Sequence, residues 1–214
     1  REYLAGDIVG GPSGSARYEL RDSILYIEEN QYLAGGGTFA VPTNAGIITA
    51  LRHNASLDTA TGEGILFVFT SQSIFSVNVT PVRATWIALE EPLQRVVQIN
   101  HGTESDRSIV PVNGDLFFRR IDGVGSLITA IRYFNQWANP PLSNEERRVL
   151  IADNPLLLSN VSGIEFDSKL WMTCLPFETD VGIAHQGIMP LDFEPVASAR
   201  EQLRPPWEGL LEGL

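Results

Sequence analysis

Three aspartates, Asp115, Asp122 and Asp167, stand near expected strand starts and turns, where convergent carboxylates could hydrolyse a glycan. That chemistry needs two of them on one bond, one to protonate the leaving oxygen and one to act as nucleophile or base. No Asp-box repeat of the sialidase kind accompanies them, and Asp at a strand end is also an ordinary turn former. His101, Ser105, Asp106 and Ser108 have the residue types of an acyl-transfer set. Triad members come from separate elements, so close neighbours in sequence read as a polar loop. Cys174 lies in the apolar run LWMTCL, with His185 the one histidine near it in sequence, and a core thiol is expected there. Three His and one Cys, scattered along the chain, offer no metal-ligand spacing. The Gly/Ser-rich stretch Gly10–Ser15 lacks the Gly-Lys-Ser/Thr ending of a phosphate loop and reads as a flexible turn. Catalytic, cofactor-binding and metal-ligating residues are accordingly expected to be none.

The elements that would position these side chains are hairpins. Val110–Phe134 reads as two strands, Asp115–Arg120 and Leu127–Phe134. Asn113-Gly114 turns the chain into the first, and Asp122-Gly123 with Gly125 turns it out. The second is assigned as a strand because it is rich in β-branched and aromatic residues. Gly64–Val79 repeats the design around Ser71-Gln72-Ser73, and Asp22–Leu33 repeats it around Glu28-Glu29-Asn30. Ser168–Leu175 does so with a later partner in Gly187–Phe193. The leading strands start at Ile24, Ile65, Leu116 and Leu170, so the units are spaced by 41, 51 and 54 residues. Such spacing predicts a mainly β chain of β-propeller-like blades, forming a whole or an incomplete propeller, with minor short helices. A β-sandwich with irregularly spaced hairpins is the other architecture this pattern allows.

The expected organisation is a first blade-like unit with a Gly-rich loop over 1–63 and central blades over 64–160. A last unit follows over 161–203, and then a C-terminal arm over 204–214. Asn44–Asn54 reads as a short helix or a strand, and Val96–Ile99 as a strand. Ser143 followed by Glu146 is a capping-box pattern that predicts a short helix over 144–152, stopped by Asp153-Asn154-Pro155. Ala197–Leu203 reads as a weak helical tail.

The net charge is −11, from 15 basic and 26 acidic residues, and Lys169 is the one lysine. A chain so acidic is unsuited to gripping nucleic acid without regard to sequence, which needs a positive face. One cysteine permits no disulfide within the chain, so folding in a reducing compartment is expected. No apolar run reaches the ~18 residues of a membrane helix. The sequence opens on Arg1 and closes on Gly209–Leu214 without a stop signal, so a segment of a longer polypeptide is expected.

The order Ser108–Asn113, Gly114–Phe118, Asp122–Leu127 and Tyr133 resembles blade sequences in tail proteins of short-tailed bacteriophages. Those are the tail nozzle, also called tail tubular protein B, and the related tail hub or stabilisation proteins. Leu66–Phe69 with Gln72–Ser76 resembles the preceding blade, and Ser143 after Asn139–Leu142 fits the loop found there. The resemblance covers residues 62–150, and chains of that family are usually longer than these 214 residues. It implies a structural virion protein without enzymatic activity, assembled in the host cytoplasm. It also implies a homo-oligomeric ring that joins adaptor and portal to tail fibres or distal tail parts. Phage DNA would pass through such a ring without being held.

Phe117, Phe118, Trp86, Trp137 and Trp171 would then be core or interface anchors. Arg119 and Arg120 would alternate across their strand, one toward a neighbour or both as a solvated pair. The alternative is a carbohydrate- or receptor-binding propeller of a tail fibre, for which Trp137 with Asn135 and Gln136 is the candidate platform. A glycan hydrolase built on the three aspartates is the further rival.

Overall fold

The computed structural model describes residues 2–5, 9–10, 16–17, 37–54, 65–77, 93–97, 101–132, 141–193 and 206–212. The Asp22–Leu33 hairpin, Trp86, Trp137 with Asn135 and Gln136, and the Ala197–Leu203 tail lie outside them. The first strands are β1 (Glu2–Ala5), β2 (Val9–Gly10), β3 (Ala16–Arg17) and β4 (Gly37–Ala40). β1 pairs with β4 and β2 with β3, both antiparallel.

The stretch Asn44–Asn54 resolves into a 3-10 turn, Thr43–Ala45, and a strand, β5 (Ile48–Asn54). β5 joins β6 (Ile65–Thr70), β7 (Ile74–Val77) and β8 (Leu93–Arg95) in one antiparallel meander. The hairpin expected around Ser71-Gln72-Ser73 is present, with Phe69 opposite Ile74. Of the expected Val96–Ile99 strand, Val96 still follows β7 through its N–H to Ile74 O at 2.9 Å, while 98–99 are not described.

The next meander is β9 (Val110–Val112), β10 (Asp115–Arg120) and β11 (Gly123–Ser126). Val112 pairs with Asp115, leaving Asn113-Gly114 as a two-residue turn with φ of 50° and 80°. Both values are positive, as the hairpin turn that suits twisted strands requires, and Asn-Gly is the pair that tolerates them best. Arg120 pairs with Gly123, so the turn out of β10 is Ile121-Asp122, and Gly123 and Gly125 belong to a strand and not to the turn.

The strand expected over Leu127–Phe134 is a helix over the residues described, α1 (Leu127–Arg132). β-branched composition loses here to capping and to burial at helical spacing. Ser126 Oγ accepts from Thr129 N at 3.3 Å, and Asp115 Oδ1 accepts from Ile128 N at 3.0 Å, two of the donors a helix start leaves open. Leu127 and Ala130 are buried, whereas Ile128 and Ile131 face solvent.

The expected helix over 144–152 is present as a 3-10 turn, Asn144–Glu146, continued by α2 (Arg147–Leu150). Its capping box is not formed. Ser143 makes no side-chain cap bond and instead accepts from Val124 N at 2.8 Å, which ties the loop to β11. A 3-10 stretch, Pro155–Asn160, follows, capped by Asn154 Oδ1 on Leu156 N at 3.1 Å.

The last sheet is β12 (Gly163–Phe166), β13 (Lys169–Thr179), β14 (Gly182–Asp192) and β15 (Leu211–Glu212), again in sequence order. The expected partnership of Ser168–Leu175 with Gly187–Phe193 is found, with Leu170 opposite Leu191 and Met172 opposite Met189. Residues 206–212 lie against this sheet: Trp207 bridges to Leu191 and gives its indole N–H to Leu142 O at 3.3 Å.

These meanders stack as layers. Phe67, Phe69 and Ile74 of the β5–β8 sheet share a core with Leu116 and Phe118 of β10 and with Leu127 and Ala130 of α1. Phe117, on the other face of β10, shares a second core with Val124 of β11, Leu170 and Met172 of β13, and Met189 and Leu191 of β14. Edge-to-face ring contacts mark both boundaries: Phe69 with Phe118 at 5.6 Å and Phe117 with Phe193 at 5.2 Å. A third core, with Val68, Phe75 and Val77, lies on the far side of the β5–β8 sheet. All six residues of β10 are buried, as in a strand covered on both faces. The described residues thus form a mainly antiparallel β protein with short helices.

Candidate functional site

The three aspartates do not converge. Asp115 opens β10 and Asp122 follows its far end, so five strand rises of about 3.3 Å separate Asp115 from Arg120 alone. Asp167 sits in another sheet, in the two-residue turn between β12 and β13, where Asp167 and Ser168 have φ of 54° and 57°.

Each carboxylate has structural work. Asp115 is buried, accepting from Leu116 N at 2.7 Å and from Ile128 N through Oδ1 and from the Ser126 hydroxyl through Oδ2. Burial raises its pKa above the usual carboxylate value, against those hydrogen bonds, which lower it. Asp122 takes a two-pronged contact from Arg120, Nε to Oδ1 at 2.8 Å and a terminal nitrogen to Oδ2 at 2.6 Å.

Arg119 and Arg120 depart most from expectation. In place of a solvated pair, both are 2% exposed. They follow Phe117 and Phe118 on opposite faces of a strand whose two faces are both buried, so neither reaches water. Arg119 turns into the core shared with β13, where it donates to Asp153 Oδ2 at 2.7 Å, Gly123 O at 2.7 Å, Leu150 O at 3.2 Å and Arg120 O. Arg120 turns to the other face, where Gly125 makes room: a Cβ there would stand 2.6 Å from Arg120 Cδ and 3.2 Å from Phe118 Cζ. Burial lowers the pKa of Arg120, and Asp122 opposes that change.

Asp153 is the residue that sequence reasoning placed only as a helix stop. Its second oxygen accepts from Leu175 N at 2.7 Å, and Leu175 has a φ of 52°, unusual for a leucine inside a strand. One buried carboxylate therefore joins β10, the end of α2 and β13. No spacing rule pairs residues 34 positions apart, and the signal available was the double arginine itself, since cations on a strand buried on both faces must find anions.

Cys174 and His185 lie on the same face of the β13–β14 pair, as Cys174 stands opposite Gly187 and Pro176 opposite His185. Burial, with Asp153 adding to it, pushes the Cys174 thiol up to about 12, and Sγ donates to Met172 O at 3.4 Å. Burial lowers the His185 pKa, opposed by a bond with the Asn160 backbone and by Asp153. A thiol held protonated by burial is a poor nucleophile near neutral pH.

The hydroxyls between Thr103 and Ser108 are occupied as well. Ser105 Oγ donates to Val161 O at 2.5 Å and Ser108 Oγ to Ser105 O at 2.8 Å, while Asp106 pairs with Arg52 at 2.6 Å. A cleft of about 320 Å³ borders this loop and the end of β10, lined by Gln72, Glu104, Arg119 and Arg120 among others. Both arginines there already hold carboxylates, and Glu104 adds a negative charge. The arrangement fixes backbone segments to one another.

Among the described residues no helix is long and apolar enough to cross a membrane. The described residues define a layered, mainly antiparallel β protein in which one buried ion pair, Arg119 with Asp153, ties β10 to the loop after α2. No protein-family model and no curated protein sequence matches the chain.

Proposed function

We propose that the chain is a structural protein of a short-tailed bacteriophage tail, one copy of a nozzle- or hub-like ring that acts by assembly and not by catalysis. The observation that carries this reading is the stacking of successive antiparallel meanders through shared cores. Propeller blades are four-stranded antiparallel sheets packed face to face around an axis. The β5–β8 and β12–β15 sheets have that strand count and sequential order, and β9–β11 supplies three strands between them. A propeller-like architecture rests on this arrangement and on the sequence resemblance over residues 62–150.

Charge supports the same reading. A ring through which DNA passes works best when it does not hold phosphates, and a chain of net charge −11 repels them. The carboxylates that a glycan hydrolase would use are engaged as cap, turn and ion-pair partners.

Mass spectrometry of purified virions tests the reading. The chain is expected among the tail proteins, and the isolated protein is expected to leave capsular polysaccharide intact. Absence from the virion overturns it. So does polysaccharide cleavage that disappears when Asp115, Asp122 or Asp167 is replaced.

A further inference from the structure

Strands β13 and β14 are eleven residues long, yet their neighbours cover only part of them. β12 pairs with β13 from Lys169 to Met172, and β15 pairs with β14 at Gly187 and Ile188. From Pro176 to His185 the hairpin runs on as an arm with no strand on either side among the described residues. Its tip is exposed throughout, with Val181 at 98%. Two acids, Glu178 and Asp180, stand there, and neither forms an ion pair among the described residues.

A second surface has the opposite character. Arg147, Arg148 and Ile151 line a shallow, open groove along α2, together with Asn144 and Glu145. Both arginines are exposed and form no ion pair among the described residues, and Ile151 is 69% exposed. On a chain of net charge −11 with one lysine, these two adjacent arginines, without an ion pair among the described residues, stand beside an exposed apolar side chain.

We propose that the hairpin tip of one copy docks into the Arg147–Arg148 groove of a second copy. Glu178 and Asp180 meet the two arginines, and Val181 covers Ile151. The occupant is a second copy because the complementary charges belong to this chain, while its own tip stands in solvent. Glu145 in the lining and Glu146 beside Arg147 lower the positive field of the groove, so the contact is made by the two exposed guanidinium groups individually. Pairing the surfaces head to tail gives a contact that closes into a ring when the rotation between copies permits. The proposal rests on the assembly reading above and names the surfaces that would perform it.

The test is the mass of the 214-residue chain in solution, measured by light scattering on a sizing column, for wild type and three charge-reversed variants. Wild type is expected to form oligomers that weaken with added salt. Arg147→Glu with Arg148→Glu, and separately Glu178→Arg with Asp180→Arg, are each expected to weaken association by about a hundredfold, as like charges then face each other. All four changes in one chain restore the complementarity and are expected to restore the oligomer. All substituted side chains are exposed, and circular dichroism with a melting curve confirms that each variant is folded. A monomeric wild type overturns the docking, as does an oligomer indifferent to both reversals or a folded fourfold variant that stays monomeric. The two readings separate cleanly. A ring indifferent to the reversals sinks the docking and keeps the ring. A closed dimer that obeys them keeps the docking and sinks the ring.

Discussion

Arg119 and Asp153 meet at 2.7 Å with both side chains 1% exposed, and the carboxylate's other oxygen holds the amide of Leu175. Asp153→Ala leaves a guanidinium uncompensated in the core and removes the acceptor for a leucine at positive φ. The expected cost is about 3–5 kcal/mol, read from urea unfolding. The pair Arg119→Met with Asp153→Leu is expected to recover most of that loss, since no lone charge remains buried. A double variant as unstable as Asp153→Ala would show that the bonds of Arg119 to the carbonyls of Gly123 and Leu150 matter more than its charge.

Asp115 gives a pH signature. Its folded-state pKa is raised by burial above the value of 3.8, so the folded protein holds this proton more tightly than the unfolded chain does. Its contribution to stability is therefore greatest below 3.8, falls as pH rises through the folded-state pKa, and is flat above it. Asp115→Asn keeps an acceptor for Leu116 N and Ile128 N without the charge. It is expected to match or exceed wild-type stability at pH 7 and to lose this component of the pH dependence. Asp115→Ala is expected to cost about 1 kcal/mol through the lost cap. Thermal melts of the three proteins between acid and neutral pH decide the matter.

Gly123 and Gly114 make a controlled comparison. Both have positive φ, 153° and 80°, but a Cβ on Gly123 would stand 2.4 Å from Ser143 Oγ and 2.8 Å from Pro141 Cβ, whereas Gly114 has open space. Gly114→Ala is expected to cost about 1 kcal/mol from backbone conformation alone. Gly123→Val is expected to cost clearly more, because it also pushes away the serine that holds Val124 N. Melting temperatures measured side by side check the order, and equal shifts would count against it.

Cys174 should be silent in the native protein. With its thiol pushed up to about 12 and its side chain in the core, little thiolate exists at pH 8 and none is accessible. Alkylation followed by mass spectrometry is expected to label it only in denaturant. Rapid native labelling would contradict the packing of β13 against β10.

The turns at Asn113-Gly114 and Ser71-Gln72-Ser73 were legible because their signals are local. Asn113-Gly114 fixes its own turn, and Ser71-Gln72-Ser73 separates two apolar runs that can only fold back on each other. The partnership of Ser168–Leu175 with Gly187–Phe193 was readable as two short apolar runs, and the structure sets Leu170 opposite Leu191 and Met172 opposite Met189. The features missed depend on residues brought together from a distance. α1 looked like a strand because its cap comes partly from Asp115, twelve positions before Leu127 and on another element. Ser143 looked like a cap because the sequence does not say that Val124 N reaches it first. Arg119 and Arg120 looked solvated because nothing adjacent announces Asp153 or the cores on either side of β10.

β10 belongs to two cores at once, with Leu116 and Phe118 in one and Phe117 in the other. Neither flanking sheet can detach without exposing one whole side of the strand they share. Loosening at one outer layer is therefore transmitted to the opposite layer as lost burial, and the layers described melt together instead of peeling away in turn. The amides of β10 then exchange with solvent only through the rarest opening of the molecule.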